Sequence, residues 1–349
     1  MSRSVRVAVE PNYDVRIGSG LLETVEALAP RYSRIAVITD ENVAPLYQER
    51  LGKKLNEHAI VLPPGEDSKS FATLDRVLTQ LSRFGLDRDS ALVALGGGVI
   101  GDLGGLAAAL YMRGIRFVQC PTTLLAQVDA SVGGKTAVNL ATGKNLAGVF
   151  HQPDAVYADT ATLVSQSDDE FRSGLGEVLK TAVLDSEEHL AQLETDTDKL
   201  LARDPETLAQ VVERCVQFKS KIVSADPHEG GSRKCLNLGH TFAHAIEHIA
   251  GFGTVPHGIA VAAGIGMALD QSGSCGILED PRLAGRVRKL ARALGLPASL
   301  EDIEARTGLE FSEDAMVRAM LTDKKNSRGE IRFVLPVRAG QVRIDVVLG

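Results

Sequence analysis

SALVALGGGVIGDLGG, residues 90–105, sets a short apolar run against three consecutive glycines and then a second apolar stretch studded with glycine. Gly96, Gly98 and Gly101 take the spacing G-x-G-x-x-G, after a segment that reads as a buried strand and at the start of one that reads as a helix. Glycines there permit a tight turn and a close approach of ligand to backbone, while the first amides and the dipole of the helix favour a pyrophosphate. The acidic residue expected about 20 residues further on is missing, because that region reads IRFVQC. By itself the spacing fits a plain strand-to-helix connection equally well. Asp40, closing RIAVITD (34–40), is an alternative ribose ligand, and PGEDSK (64–69) is a turn suited to embrace a nucleotide.

On either side of the loop the pattern repeats. RIAVITD precedes a helical stretch near 43–56, AIVLPPG (59–65) one near 71–85, SALVALGGG one near 99–112, and IRFVQCP (115–121) follows. Short apolar runs alternating with helices predict a parallel sheet with helices on its faces, and ligands beyond the carboxyl ends of its strands. A polar stretch, PTTLLAQVDASVGGKTAVNLATGKN (121–145), carries Lys135 and Lys144 among small residues, as expected of charges aimed into a pocket. From about Asp168 the periodicity becomes helical, and only EIRFVLPVRAGQVRIDVVLG at the end returns to strand-like alternation. The expected architecture is therefore α/β, with an N-terminal Rossmann-like domain over 1–168, a mainly helical domain over 169–349, and the active site in the cleft between them.

Length and charge bound the function. A chain of 349 residues has room for two packed units. Its net charge of −7, with no Lys/Arg block, argues against a nucleic-acid footprint, so any anionic ligand is small and held locally. Cys120, Cys215, Cys235 and Cys275 are scattered without a C-x-x-C pair, which disfavours a disulfide framework or cysteine zinc site and fits a reducing, cytoplasmic compartment. MSRSVRVAVE opens like a strand rather than a secretion signal, and no apolar run approaches the ~20 residues that span a bilayer.

LNLGHTFAHAIEH (236–248) places His240, His244 and His248 four residues apart on a stretch of helical period. A single histidine on an apolar face is usually a hydrogen-bonded core residue, but three in register point to more. His240 and His244 have the spacing of a zincin pair, yet H-T-F-A-H lacks the glutamate that acts as base in such peptidases. His257 opens the next helix. Zinc accepts two histidines and a carboxylate while keeping a position open, and Glu177 and Glu247 are both candidates that spacing does not separate. Lys180 follows Glu177 by three residues, on the same helix face, and Arg233 and Asn237 precede His240. Carboxylate, imidazoles and cations together suit a polyhydroxylated, multiply anionic small molecule.

These segments resemble the 3-dehydroquinate synthases, NAD- and zinc-dependent enzymes of the shikimate pathway within the wider sugar phosphate cyclase family. The likeness rests on GGGVIGDLGG, YMRGIRFVQCPTTLLAQVDASVGGKTAVN, GKNLAGVFHQP, SGLGEVLK, LNLGHTFAHAIEH, the HG pair at 257 and TDKK at 322–325. The resemblance implies Glu177, His240 and His257 as ligands of Zn2+ or Co2+. It implies NAD contacts from Asp40, Glu66, Lys69, Gly97, Gly98, Asp102, Thr122, Thr123, Lys135, Lys144 and Thr162. Asp129, Lys135, Asn145, Lys180, Lys219, Arg233, Asn237, His244 and Lys324 would form the pocket for a sugar phosphate, with Arg113 reaching in from the partner of a homodimer. On this reading His240 holds metal, His244 handles protons or orients substrate, and His248 is structural. The implied reaction converts 3-deoxy-D-arabino-heptulosonate 7-phosphate to 3-dehydroquinate and phosphate, with no net oxidation.

The sequence departs from the family pattern at three places, of which the first two bear on the substrate. HGIAV stands for HGEAV, with Ile259 in the glutamate position; NLATGKN stands for NHPLGKN; and Pro227 interrupts an acidic run, leaving DPHE. Related cyclases acting on amino-heptulosonate or sedoheptulose 7-phosphate share the scaffold, although His244, Arg233 and Asn237 favour a carboxylated heptulosonate. A metal-dependent glycerol or alcohol dehydrogenase is a competing expectation, disfavoured by the lysine and arginine cluster; a catalytically dead NAD-binding regulator is a third, disfavoured by the complete metal triad.

Overall fold

The computed structural model describes residues 2–251, 253–321 and 330–347. Its residues group into two compact units, Met1–Gln166 with Leu208–His228, and Ser167–Thr207 with Glu229–Gly349. A single cut after residue 168 does not describe this grouping, because Leu208–His228 counts with the first unit.

The first unit is built on a seven-stranded sheet. Its strands are β1 (Arg3–Val7), β2 (Tyr13–Gly18), β3 (Ile35–Asp40), β4 (Ala59–Leu62), β5 (Ala91–Gly96) and β6 (Arg116–Pro121), with β7 (Lys135–Leu140) and β8 (Gly143–Phe150) forming a separate hairpin before β9 (Ala155–Asp159). The order is β1-β2-β9-β6-β5-β3-β4, antiparallel between β1 and β2 and parallel elsewhere. Both faces are covered, which is why β3 and β5 read as continuous apolar runs. Ala36, Ile38, Leu92 and Ala94 pack under the helices Phe71–Arg83 and Gly98–Leu110, while Ile35, Val37, Ala91, Val93 and Leu95 pack against Leu22, Val25, Tyr47, Leu51 and Leu55 on the other face. Gly104 lets the second of these helices lie close on the sheet, since a Cβ there would stand 3.0 Å from Ile38 Cγ2 and 3.2 Å from the Ala94 Cβ.

Two expectations change. The single helix near 43–56 is a helical turn, Ala44–Tyr47, and two 3-10 turns, Gln48–Leu51 and Leu55–Glu57, because Gly52 (φ +89°) breaks the helical path. The polar stretch 121–145 supplies a π-helical turn, Ala126–Ala130, then β7 and the start of β8.

The second unit is mainly helical, closed by the hairpin β10 (Arg332–Arg338) and β11 (Gln341–Val347). Glycines bring three of its helices into backbone contact. A Cβ at Gly176, in Asp168–Asp185, would overlap the carbonyl of Gly258, and one at Gly258 would overlap that of Ser173. A Cβ at Gly264 would overlap the carbonyl of Gly239, so His257–Ser274 also lies tightly against the start of His240–Ala250. Gly239 itself has φ +79° and ends the helical reading that the sequence extends back to Leu236, leaving His240 as the first residue of its helix. No helix among the described residues is long and apolar enough to cross a membrane.

Candidate active site

The candidate residues of the first unit lie along one edge of its sheet. Asp40 ends β3, Glu66 and Lys69 follow β4, Gly97, Gly98 and Asp102 follow β5, Thr122 and Thr123 follow β6, and Thr162 follows β9. All five strands are parallel, so these are carboxyl ends, and the strand order reverses between β3 and β5, beside Asp40 and the glycine loop. The helix Gly98–Leu110 begins with no side-chain cap, leaving its first amides and dipole available to an anion. Packing does not explain why residue 98 lacks a side chain, since a Cβ would meet only Ala130 at 3.7 Å. Gly96 is different, because a Cβ there would stand 2.8 Å from Ile100. The buried Thr122 hydroxyl has no hydrogen-bond partner among the described residues. Bare glycine, uncapped helix and orphaned hydroxyl together fit a bound dinucleotide.

Polar contacts organise this edge. Lys69 is buried and donates to Asp102 and to Asn145. Asn139 donates to Glu66 at 2.7 Å and accepts from the Asn145 amide at 2.9 Å, so one network joins Glu66, Lys69, Asp102 and Asn145. Burial raises the Asp102 pKa above the usual carboxylate range, against the opposing pull of Lys69. Burial likewise raises that of Asp40, opposed by the amides of Val43 and Asn42 that cap it. Gln127, fully buried, donates to the carbonyls of Pro121 and Asp159 and to Thr162 Oγ1, tying the loops after β6 and β9 together. Sequence reading passes over Asn139 and Gln127. Their only signal is a polar residue inside a stretch otherwise composed for burial.

The other candidates of this unit are less uniform. Lys219 donates to both the carbonyl and carboxylate of Asp129 at 2.6 Å. Lys135 and Asn145 are exposed and Lys144 is half-buried, on the hairpin β7–β8. Arg113 is exposed in a turn where Met112 (φ +53°) and Arg113 (φ +69°) are both left-handed. Such backbone costs about 1–3 kcal/mol per residue and clusters at active sites, ligand clamps and switch regions.

In the second unit the helix contacts described above bring Glu177, His240 and His257 together, with donor atoms all within 4.8 Å of one another. Glu177 Oε1 lies 3.7 Å from His240 Nε2 and 3.5 Å from His257 Nε2. Each imidazole turns its other nitrogen to an acceptor: His240 Nδ1 to the Leu238 carbonyl at 3.2 Å, His257 Nδ1 to Glu247 at 3.4 Å. The donor set, two imidazoles with oriented Nε2 atoms and one buried carboxylate, fits zinc or cobalt with a position left open. Lys180, 2 % exposed, pairs with Glu177, which is 1 % exposed. Arg233 is buried, and Asn237 donates to Glu229 at 3.1 Å. The His244 ring stands 5.6 Å from that of His240 and 6.2 Å from that of His257, beside the group but outside it, whereas His248 is exposed. Burial disfavours a charged His257, but hydrogen bonds to Glu177 and Glu247 outweigh it, and the pKa is pushed up to about 10. Lys324 lies outside the described residues.

The fold and the sequence both match known proteins. The fold matches 2-deoxy-scyllo-inosose synthase in complex with carbaglucose-6-phosphate, NAD+ and Co2+, with TM-score 0.88 and 25% identity over 99% of this chain and 96% of that one. It also matches 2-epi-5-epi-valiolone synthase from Streptomyces hygroscopicus with NAD+ and Zn2+, with TM-score 0.85 and 29% identity over 96% and 93%. A probable glycerol dehydrogenase from Sinorhizobium meliloti, at TM-score 0.61 and 20% identity over 88% of each chain, shares the fold. The fold is thus one shared with synthases solved with NAD+ and a divalent metal. Residues 59–173 match the 3-dehydroquinate synthase N-terminal model and 174–326 the 3-dehydroquinate synthase C-terminal model. The chain is 44% identical to 3-dehydroquinate synthase of Acidithiobacillus ferrooxidans over 93% of its length and 88% of the relative's, and 42% identical to that of Colwellia psychrerythraea over 97% and 95%. The chain belongs to the 3-dehydroquinate synthase family.

Proposed function

We propose that the protein converts 3-deoxy-D-arabino-heptulosonate 7-phosphate to 3-dehydroquinate and phosphate by transient oxidation, phosphate elimination, re-reduction and aldol ring closure. This places it in the shikimate pathway of aromatic amino acid biosynthesis, in the cytoplasm. The observation that carries the reading is the convergence of Glu177, His240 and His257, with buried Lys180 paired to Glu177, in a member of this family.

NAD is held by the sheet edge from Asp40 to Thr162, and the divalent ion, Zn2+ or Co2+, by Glu177, His240 and His257. When bound, NAD supplies a reversible hydride acceptor and the ion a Lewis acid that orients hydroxyl groups. The uncapped amides at Gly98 bind pyrophosphate, and Lys69 holds the network that fixes Glu66 and Asp102. Lys135, Lys180, Lys219 and Arg233 bind the substrate's phosphate and carboxylate, with Arg suited to bidentate pairing. Asp129, Asn145 and Asn237 orient its hydroxyls. His244 moves a proton, since its ring lies next to the metal-ligand group without belonging to it. Holding the reactants in one orientation supplies much of the rate. Arg113 extends from its left-handed turn into the site of a partner in a homodimer.

The test is incubation with NAD, Zn2+ or Co2+ and candidate phosphates, measuring phosphate release, ring product and NADH. Stoichiometric phosphate and 3-dehydroquinate without accumulated NADH support the reading. NADH accumulating with product supports a dehydrogenase instead. Preference for an amino-heptulosonate or sedoheptulose 7-phosphate moves the substrate within the cyclases, and draws attention to Ile259, which is buried two residues beyond His257.

A further inference from the structure

His257 stands between two carboxylates. Its Nε2 faces Glu177 Oε1 at 3.5 Å and its Nδ1 faces Glu247 Oε2 at 3.4 Å, on opposite sides of one ring. Glu247 is 4 % exposed and lies on the helix His240–Ala250, seven residues after His240. Seven residues are close to two helical turns, so His240, His244 and Glu247 occupy one stripe, directed at the start of the next helix. The two histidines of the ligand group are therefore backed differently: His240 by a neutral backbone carbonyl, His257 by a buried acid.

A carboxylate behind an imidazole fixes which nitrogen carries the hydrogen, holds the ring plane, and raises the electron density of the nitrogen that faces the metal. We infer that Glu247 is a positioning residue for the metal centre, locking His257 with Nδ1–H toward Glu247 and the Nε2 lone pair toward the ion. Spacing in the sequence makes Glu177 and Glu247 equal candidates for the third ligand. The geometry separates them, with Glu177 inside the three-residue group and Glu247 outside it, on the far side of the ring. This inference rests on the metal reading given under Proposed function. It assigns a residue to setting the affinity and symmetry of that centre, with no contact to the ion or to substrate.

Full-length protein stripped with a chelator is titrated with Co2+ against a chromophoric competitor, and the visible absorption of the Co2+-loaded form is recorded. Glu247→Gln keeps the shape and a neutral acceptor, and is expected to weaken Co2+ binding about tenfold; Glu247→Ala removes the acceptor and is expected to weaken it up to about a hundredfold. Both are expected to shift the Co2+ absorption bands, because the His257 ring is released. A purely structural role would lower the unfolding midpoint while leaving affinity and bands unchanged in the folded fraction. Wild-type affinity and bands in folded Glu247→Gln overturn the inference. Should the alanine variant fail to fold, Glu247→Asp, which withdraws the carboxylate by one methylene, tests the same contact. Wild-type protein that takes up no divalent metal overturns the metal reading itself, whereas wild-type uptake with an indifferent Glu247→Gln overturns only the role of Glu247.

Discussion

In the metal-free protein His257 is held protonated, its Nε2 facing Glu177 and its Nδ1 facing Glu247, with the pKa pushed up to about 10 from an ordinary 6.5. A metal ion needs the Nε2 lone pair, so binding must displace this proton. At pH 7 the competition works against a pKa about three units higher, which lowers apparent affinity about a thousandfold below its alkaline plateau; between pH 7 and 9 affinity rises about tenfold per unit. An ordinary imidazole would have finished titrating by about pH 7.5. The same shift fixes the sign for stability. A raised folded pKa stabilises the metal-free protein fully below 6.5, and that contribution is lost as pH climbs through about 10. The metal-loaded form, carrying no proton there, lacks this decline. The assay is competition against a chelator of known protonation from pH 6.5 to 9, with unfolding midpoints of both forms across the same range. Affinity that stops rising above pH 7.5, with parallel stability profiles for the two forms, refutes the reasoning.

Other expectations follow from the same contacts. Lys180→Met removes one cationic partner of a buried carboxylate that still faces protonated His257, so denaturation in chelator should show a loss below the about 3–5 kcal/mol of a fully uncompensated charge, reduced further when Zn2+ is added because the ion then compensates Glu177. Gly98→Ala, whose Cβ meets only Ala130 at 3.7 Å, should leave the unfolding midpoint within about 1 kcal/mol of wild type yet weaken NAD binding in equilibrium dialysis. Gly96→Ala, pressed against Ile100 at 2.8 Å, should lower the midpoint as well. His244→Gln should retain one metal ion per chain by elemental analysis while turnover falls by about 10²–10⁴-fold.

Much of the first unit is legible because its helices cover both sheet faces. Burial on both sides leaves unbroken apolar runs such as Ile35–Asp40 and Ala91–Gly96, ending at residues that the strand order later sets side by side. The hairpin β7–β8 is illegible for the opposite reason. Its second strand is largely exposed, so small polar residues carry no alternation that separates strand from loop. The histidine helix reads as helix from its apolar period, but its true start depends on the left-handed Gly239, a matter of backbone path rather than of composition. Choosing between Glu177 and Glu247 was beyond spacing altogether. The choice depends on Gly176 meeting Gly258 across a helix crossing, a long-range contact that no local pattern encodes.

The central claim is that one acid and two imidazoles of the helical unit hold the ion on which turnover depends. Anomalous diffraction from crystals grown with Zn2+ tests it most directly. One strong peak is expected at about 2.0–2.2 Å from a Glu177 oxygen, His240 Nε2 and His257 Nε2, with Glu247 beyond the far side of the His257 ring. A peak coordinated by Glu247, or by residues outside this group, contradicts it.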